Sequence, residues 1–307
     1  MTGGIITTGS ITRLLQDGVK NVFGDAYNDY PMECKKLFDE ESSKKAYELD
    51  VQYEGFGLAS RKPEGDAVQY DSAVEGFTPK YVNYTYAKGF IVTKEAQDDN
   101  QYGLFKSKAK KLARSMLQTQ ETVAANVYNR AFTSTYTMLG GDGQELLATD
   151  HINGPSDSTT YSNMLAVPAA LSESSIESLL IQIAQATDPR GLKIALKGQR
   201  LIVPSALGFE AERILKSVLQ NDTGNNAVNA IKSTGILPEY VINHYLSSST
   251  AWFVKTDCPD GLKFMNRQAV EFDQDMDFGT SDSRYKATQR YSFGWTDPRG
   301  LYGSAGV

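Results

Sequence analysis

The sequence contains few of the residues on which enzymes and metalloproteins usually depend. Only two cysteines and two histidines occur among its 307 residues. Cys34 and Cys258 stand far apart, so they form no C-x-x-C pair and no disulfide framework, which suits a reducing compartment or simple packing. Zinc-ligand spacing, a phosphate-binding loop, a dinucleotide-binding glycine motif and a nucleophile elbow are all missing. The sequence therefore predicts no metal, no cofactor and no catalytic residue, and so a protein that is not an enzyme.

A basic charge balance and long apolar runs are missing as well. The net charge is -6, whereas a protein that binds nucleic acid through its phosphates usually carries an excess of lysine and arginine. No apolar run approaches the roughly 20 residues that span a bilayer, and the first residues lack the pattern of a secretory signal. We therefore expect a protein that is made in the cytoplasm and has no membrane partner.

Asp150 and His151 come nearest to a catalytic pair. A carboxylate beside a histidine can polarise a general base, and a cytoplasmic enzyme that uses this pair is one hypothesis. A histidine in an ordinary loop is the other hypothesis, and it is favoured because no nucleophile motif accompanies the pair.

Asp273, Asp275 and Asp277 imitate the start of a calcium-binding loop. Such a loop needs glycine at its sixth position and a bidentate glutamate at its twelfth, where this sequence has Phe278 and Arg284. The acidic face of a strand that leads into a turn explains the three aspartates better than a calcium site does.

Residues 1–46 have the pattern of an arm and not of a compact unit. Ser10 can cap a short helix, which Gly24 is expected to interrupt. One apolar stripe follows this cap, formed by Ile11, Leu14, Leu15, Val19 and Val22. A single stripe must be buried on something, and either the chain's own domain or a neighbouring subunit can supply the surface.

Residues 47–92 predict a long projecting β-hairpin. Apolar and polar residues alternate at 47–53 and again at 82–86, as they do in half-buried strands. A polar stretch with several glycines separates the two segments. Because a lone two-stranded ribbon is only marginally stable in water, we expect a further surface to cover it.

Residues 93–135 carry the clearest helical period. Apolar residues recur at intervals of three or four, and neither glycine nor proline interrupts residues 104–132. At about 1.5 Å per residue, this segment predicts a helix roughly 40 Å long. Its first half carries the basic residues Lys106, Lys108, Lys110, Lys111 and Arg114. They can face nucleic acid, although a solvated helix face is the favoured interpretation.

Residues 136–265 predict a mixed α/β unit. A capping box at Ser174 and Glu177 is expected to start one helix, and Ser205 is expected to start another. Short strands are expected at residues 199–203, 240–242 and 252–254. Asp260-Gly261 is typical of a hairpin turn before the next strand.

Residues 266–307 return to period two and predict long strands. One face of the strand at 284–295 carries Tyr285, Ala287, Gln289, Tyr291, Phe293 and Trp295, and the other face is polar. Together, the segments predict an α+β protein whose chain runs from an arm through a hairpin, a long helix and an α/β unit to the return strands.

This order of elements resembles the Hong Kong 97-type capsid subunit of tailed bacteriophages. In that fold an N-terminal arm and an extended loop precede a spine helix, an axial domain follows, and the chain returns through the peripheral domain. The segments at 252–257, 265–272 and 284–300 are similar to the end of Mu-type major head subunits. Residues 147–151 and 199–207 are also similar to that family. The resemblance covers nearly the whole chain.

The resemblance implies a major capsid protein that assembles through hexamers and pentamers into an icosahedral head around double-stranded DNA. It divides the chain into an arm at 1–46, an extended loop at 47–92, a peripheral domain with the spine helix at 93–135, an axial domain at 136–265 and return strands of the peripheral domain at 266–307. The implied location is the virion capsid, after assembly in the cytoplasm of a host bacterium.

The resemblance also implies partners. A portal, possible decoration proteins and non-specifically contacted DNA are expected. Some relatives carry a cleaved N-terminal scaffolding segment, whereas this arm starts at Met1, which indicates either a separate scaffolding protein or a numbering that follows removal of such a segment. Some relatives join a lysine of the extended loop to an asparagine of a neighbouring subunit. Lys62 and Lys80 lie in the corresponding segment, but the sequence predicts no such bond.

Two further classes of protein compete with the phage head. An encapsulin-like compartment shell shares the fold and would enclose an enzyme cargo, and the sequence separates it poorly from a phage head. A tail or adhesin protein is disfavoured, because such proteins tend towards repeated β units and lack one long helix.

Overall fold

The computed structural model describes residues 12–98, 102–134, 140–155, 157–220 and 227–307. The α-helices within these residues are α1 Thr12–Asn28, α2 Lys94–Asp98, α3 Tyr102–Asn129, α4 Glu173–Ala184, α5 Gly208–Lys216 and α6 Ala230–Thr234. The strands are β1 Asp39–Ser42, β2 Tyr47–Leu49, β3 Lys80–Val82, β4 Tyr84–Val92, β5 His151–Gly154, β6 Asp157–Tyr161, β7 Gly198–Val203, β8 Glu239–Ile242, β9 Trp252–Thr256, β10 Leu262–Met276, β11 Ser283–Trp295 and β12 Leu301–Ser304. The predicted α+β class is confirmed.

Helix α3 is the longest helix among the described residues. Its 28 residues extend for about 42 Å, close to the predicted length. The buried residues of its first half include Ala109, Leu112 and Met116, which recur at intervals of three or four and lie on one face. The apolar period of the sequence therefore predicted the first and last residues of this helix to within three residues.

Strands β10 and β11 form a long antiparallel hairpin in the centre of a four-stranded sheet. The strand order is β1-β10-β11-β4, with β1 parallel to β10 and the other pairs antiparallel. The predicted alternation in β11 is confirmed. Its inward side chains, from Tyr285 to Trp295, are buried, whereas Arg284 and Lys286 on the opposite face are exposed.

A second four-stranded sheet has the order β12-β9-β7-β8 and forms the centre of the α/β unit. Neighbouring residues of its strands point to opposite faces. Leu201 and Trp252 face the core beneath α4, α5 and α6, whereas Ile202 and Phe253 face the core shared with α3 and the first sheet. Both faces of this sheet are buried, which explains why β7 and β9 read as continuous apolar runs.

The arm helix α1 packs on its own chain. Val19, Phe23 and Ala26 share a core with residues of α3, β4, β10 and β11. Phe23 stacks on Phe272 with the ring centroids 4.7 Å apart. Of the two surfaces left open by the sequence, the chain's own domain therefore buries this part of the arm. Ser10 and Ile11, which were expected to begin the helix, lie outside the described residues.

The predicted hairpin pairing is observed over a shorter length than expected. β2 pairs with β3 over three residues, and a bridge joins Tyr53 to Glu75. The following strand, β4, pairs instead with β11. Asn83 lies between β3 and β4, and its buried amide donates hydrogen bonds to Ser43 and to the backbone oxygen of Lys45. Alternation identified both segments as strands, but of the predicted second strand only Val82 pairs with β2, because Tyr84 and Tyr86 lie in β4.

Three local expectations are wrong. Helix α1 continues through Gly24 to Asn28. Helix α4 is capped by Ser172 and Ser175 and not by Ser174 and Glu177, because several consecutive polar residues offer competing caps. Ser205 begins a short 3-10 turn without a side-chain cap before α5. Weak local signals of about 1 kcal/mol are overridden here by packing.

The turn at Asp260-Gly261 is present, but it does not close a hairpin. Asp260 has a positive φ of 58°, but Gly261 does not have a positive φ, so the backbone is not that of a type I′ hairpin turn. The strands on either side belong to different sheets, because β9 pairs with β7 and β12 whereas β10 pairs with β1 and β11. The turn therefore passes the chain from the α/β unit to the long return strands.

Candidate interaction surface

Residues 50–79 form a long loop between β2 and β3 that is largely exposed. Backbone hydrogen bonds join its two arms near the body, from Gln52 to Phe77 and from Glu54 to Val74. Farther out, at the loop tip formed by residues 58–70, apolar side chains face solvent. Leu58 is 82% exposed and Tyr70 is 95% exposed. Exposed large apolar groups at the end of a projecting element are typical of a contact surface.

The loop root, formed by Asp50 and Gln52, is fixed to the body by buried charge. Lys263 of β10 is 5% exposed in its side chain, and its Nζ lies 2.6 Å from Asp50 Oδ2, 2.8 Å from Asp260 and 3.1 Å from Glu41. Burial works to lower the pKa of Lys263, but hydrogen bonds to Asp260, Asp50 and Glu41 outweigh it and hold the pKa above its ordinary value. The ammonium group therefore stays charged at the loop root.

A second buried network holds the same root from the other side. Gln52 Nε2 donates to Asp297 Oδ2 at 3.0 Å, and the same carboxylate pairs with Arg299. Arg299 donates to Asn153 at 2.7 Å and lies 4.1 Å from the centre of the Tyr161 ring. Burial works to lower the pKa of Arg299, but Asp297 acting together with Tyr161, Tyr302 and Cys258 outweighs burial, so the pKa is raised. The root is thus tied to β5, β6 and the C-terminal segment.

A tether joins the outer part of the long loop to the α/β unit. Arg190 Nη1 lies 2.6 Å from Asp71 Oδ2, and Arg190 Nη2 donates to the backbone oxygen of Ser72 at 2.8 Å. Asp71 also accepts from the backbone N–H of Gly57, and hydrogen bonds of this kind lower the pKa of Asp71. The tether is partly exposed, so it positions the loop more than it stabilises the fold.

His151 is a buried structural residue. Its side chain is 0% exposed, and its partner is Asp142, at 2.6 Å from Nδ1, and not Asp150. Nε2 lies 3.3 Å from the backbone oxygen of Leu146, and the ring stacks on Tyr161. Both ring nitrogens are therefore engaged and neither faces solvent. Asp150 is exposed and hydrogen-bonds to Gln144, so the predicted pair does not form.

The other residues singled out from the sequence have structural surroundings. Cys34 and Cys258 are buried, and burial raises the pKa of both thiols. Asp273 pairs with Lys286, and Asp277 pairs with Arg284 and caps the turn at Gly279. The residues that the structure describes include no group of acidic, histidine or cysteine side chains arranged for a metal ion.

Two lysines and a basic helix face complete the candidate residues. Lys62 is exposed in the loop tip, and Lys80 at the start of β3 lies 4.4 Å from the centre of the Tyr47 ring. Lys110, Lys111 and Arg114 of α3 are exposed.

Within the described ranges, no helix is both long and apolar enough to cross a membrane.

The residues that organise this surface had no sequence signal. Most partners of Lys263, Asp297, Arg299 and Arg190 are more than a hundred residues away in the sequence. The exceptions are the local pairs of Asp297 with Arg299 and of Lys263 with Asp260. The Asp-Pro-Arg-Gly run at 297–300 reads as a turn. Nothing local indicates that its charges support a loop 245 residues away.

Comparison with solved structures identifies the fold. The capsid of a native GTA particle superposes with a TM-score of 0.56 at 10% identity, covering 89% of this chain and 90% of that one. The procapsid of bacteriophage JBD30 gives 0.54 at 16% identity, with coverages of 97% and 76%. A virus-like particle from Pyrococcus furiosus gives 0.55 at 10% identity, with coverages of 94% and 98%. The fold is therefore the Hong Kong 97-type fold of shell-building subunits.

The sequence matches the family model described as phage capsid protein over residues 78–304. This match covers most of the chain, and the chain therefore belongs to the phage capsid protein family. As a major capsid protein of a tailed phage, it is a structural component of the virion shell. No curated protein matches the chain.

Proposed function

We propose that the chain assembles through hexamers and pentamers into an icosahedral phage head that encloses double-stranded DNA. The long loop is the observation that carries the proposal. Its root is fixed by Lys263 and Arg299, whereas its tip exposes Leu58 and Tyr70 to solvent. A loop with a rigid root and an unburied apolar tip suits a contact with another subunit.

The predicted domains have distinct roles in this proposal. The extended loop within 47–92 lies over a neighbouring subunit, and the spine helix stiffens the peripheral domain of 93–135. The axial domain of 136–265 meets its symmetry mates around the centre of each capsomer. The arm at 1–46 and the strands of 266–307 support the peripheral domain, in keeping with the packing of α1 on α3 and β10.

Other partners follow from a head that is filled with DNA. A separate scaffolding protein, a portal and possible decoration proteins act with the subunit, and assembly takes place in the cytoplasm of the host bacterium. The exposed basic face of α3, with Lys110, Lys111 and Arg114, contacts packaged DNA without sequence preference. A net charge of -6 fits a shell that does not bind its genome tightly.

The proposed role requires no catalysis. His151 has both ring nitrogens engaged, and the raised pKa values of Cys34 and Cys258 keep these thiols in their unreactive protonated form. Substituting His151 with Gln is expected to lower the folding stability of the subunit, and no catalytic activity is expected in either protein.

Electron microscopy tests the assembly directly. The chain is expressed alone and together with a scaffolding protein, and both preparations are imaged. Closed shells, or rings of five and six subunits, support the proposal. A uniform small particle in both preparations contradicts it. A variant in which residues 58–70 are replaced by a Gly-Ser linker is the control, and it is expected to remain folded but unassembled.

A compartment shell is the second candidate. The match to a virus-like particle from Pyrococcus furiosus covers almost the whole of both chains, and this match is the observation that favours a compartment shell. Shells purified from the native host distinguish the two functions. Packaged genomic DNA is expected for a phage head, whereas a single enriched enzyme would indicate an encapsulin-like compartment.

A further inference from the structure

The arm turn, formed by residues 33–38, connects α1 to β1 and contacts the α/β unit on one side. The Glu33 carboxylate lies 2.6 Å from Nδ1 of His244 and accepts from the backbone N–H of His244 at 3.1 Å. Arg200 of β7 donates to the backbone oxygen of Lys36. Because His244 and Arg200 both belong to the α/β unit, the arm turn links the arm to that unit.

The other side of the arm turn contacts a buried carboxylate of α3. Glu121 is 5% exposed and accepts hydrogen bonds from the backbone N–H of Cys34 at 3.1 and 3.3 Å. The Cys34 thiol donates to the same carboxylate. None of the ion pairs among the described residues includes Glu121. A buried carboxylate without a cation is stable in its protonated form and costly in its ionised form.

The groups that face Glu121 do not compensate a negative charge. Glu33 of the arm turn carries a second negative charge, and Tyr27 of α1 and Tyr245 after β8 also face the carboxylate. Arg114, two turns earlier on α3, is the basic residue of this cluster, and it acts on Tyr245. Ionised Glu121 therefore lies beside a second carboxylate and has no ion-pair partner within the described part of the chain.

The position of the arm turn and the protonation of Glu121 depend on each other. Burial raises the pKa of Glu121 and the charge of Glu33 adds to this effect, whereas the hydrogen bonds from Cys34 oppose it. When the arm turn opens, water reaches Glu121 and its pKa returns towards the ordinary value of about 4.3. The closed turn therefore binds the proton more tightly than the open turn. Its stability is fully present below about pH 4.3 and is lost as the pH rises through the pKa of the closed turn.

We infer that the arm turn is a pH-sensitive latch, which protonated Glu121 holds closed on α3 and which ionised Glu121, beside Glu33, allows to open. Opening separates Cys34 from α3 and moves Glu33, the residue that contacts His244. The same event therefore loosens the link between the arm and the α/β unit. The latch lies within one subunit and does not depend on the proposed assembly, so a failure of either leaves the other intact.

Amide hydrogen exchange of the full chain, measured from about pH 5 to about pH 8, tests the latch. The protection of the Cys34 amide, corrected for the intrinsic pH dependence of exchange, is expected to fall as the pH rises. In Glu121→Gln it is expected to stay constant, because the amide oxygen still accepts from Cys34 and cannot ionise. Constant protection in the wild type, or the same fall in a folded Glu121→Gln, overturns the inference.

His244→Gln is the matched control, because it removes the other titratable group at the arm turn and keeps a donor for Glu33. The fall in protection at Cys34 is expected to persist in this variant, and its loss would assign the pH response to His244 and overturn the latch. Glu33→Gln leaves the buried residue unchanged and provides a test that does not require Glu121→Gln to fold. It removes the neighbouring negative charge, so the fall should become smaller, and a fall of unchanged size contradicts the inference.

Low concentrations of urea separate local from global opening. Opening of the arm turn exposes little surface, so urea should barely change the exchange of the Cys34 amide. Ala148 is the internal reference, because its buried N–H donates to the uncharged side chain of Asn163 at 3.0 Å, and its exchange should accelerate with urea. Equal sensitivity at both amides would show that the whole subunit unfolds and would overturn the latch.

The link to the α/β unit has its own readout. At about pH 8, the His244 amide, which donates to Glu33, is expected to exchange faster in the wild type than in Glu121→Gln. Both proteins are compared at one pH, so the titration of His244 itself cancels. Equal exchange at His244, together with faster exchange at Cys34 in the wild type, would overturn the coupling between the latch and the α/β unit.

Discussion

The root and the tip of the long loop satisfy their charges in different ways. At the root, Lys263 is buried among three carboxylates and Arg299 lies in a second network. At the tip, Arg61, Lys62, Glu64 and Asp66 are exposed. The isolated subunit therefore fixes where the loop starts, whereas the charges at the tip form no ion pair among the described residues. Changes at the root should alter the stability of the subunit, and changes at the tip should alter assembly.

The largest loss of subunit stability is expected from a substitution in the core that lies behind the loop root. Phe293 is buried on β11 and stacks on Phe264 with ring centroids 4.5 Å apart. Phe293→Ala removes this packing and leaves a cavity, so it is expected to lower the free energy of unfolding by about 3–5 kcal/mol. Urea unfolding of the unassembled subunit measures it. Tyr70→Ala at the tip is the control and should change stability by less than about 0.5 kcal/mol. Similar losses for both variants would contradict the comparison.

Removing the positive charge of Lys263 at the loop root should cause the next largest loss of subunit stability. Lys263→Met leaves Asp50, Asp260 and Glu41 close together without their shared cation. The expected loss is about 2 kcal/mol, below the value for a fully buried pair because the carboxylates are partly exposed. Thermal unfolding at low and high salt measures it, and the loss should shrink as salt screens the carboxylates. Lys62→Met at the tip should leave the unfolding temperature of the subunit unchanged.

The sequence predicted the parts of this molecule that depend on local periodicity. The long helix and the alternation of β11 were correct because each element buries one face. The root of the loop was not predictable, because Lys263 and Asp50 are 213 residues apart and neither lies in a motif. Asp150 was chosen as the partner of His151 because it is adjacent in sequence. The observed partner, Asp142, reaches His151 only through the turn at 140–143.

Glu121 contrasts with the paired charges of the root. It is buried on α3 and accepts hydrogen bonds from the backbone N–H of Cys34 at 3.1 and 3.3 Å. Burial raises the pKa of Glu121 above its ordinary value. The folded state therefore binds the proton more tightly than the unfolded state, and the stability that depends on this proton is lost as the pH rises above about 4.3.

Glu121→Gln is therefore expected to raise the free energy of unfolding at pH 7, because the amide keeps an acceptor for Cys34 and carries no charge. The gain should vanish below about pH 4, where Glu121 is protonated in both states. Thermal unfolding of both proteins across this range measures it. A gain of equal size at pH 4 and pH 7 would show that packing, and not charge, is responsible.

The smallest effect on stability is expected at the tether between root and tip. Arg190→Gln removes the ion pair with Asp71 and the hydrogen bond to Ser72, which are partly exposed, so it should cost about 0.5 kcal/mol or less. Arg213→Gln, which removes an exposed pair with Glu210 at 3.4 Å far from the loop, is the matched control. Both variants should unfold at nearly the same temperature.

The two variants should differ in the motion of the loop. Without Arg190, the part of the loop beyond the backbone pair of Glu54 and Val74 loses its ion pair and hydrogen bond to the α/β unit, and it is expected to lose its preferred direction. Amide hydrogen exchange at Gly57, whose N–H donates to Asp71, should accelerate in Arg190→Gln and remain unchanged in Arg213→Gln. Exchange at Gln52, which pairs with Phe77 at the root, should stay slow in both. Faster exchange at Gln52 in Arg190→Gln would mean that the tether and the root form one cooperative unit, and the division between a fixed root and a free tip would have to be abandoned.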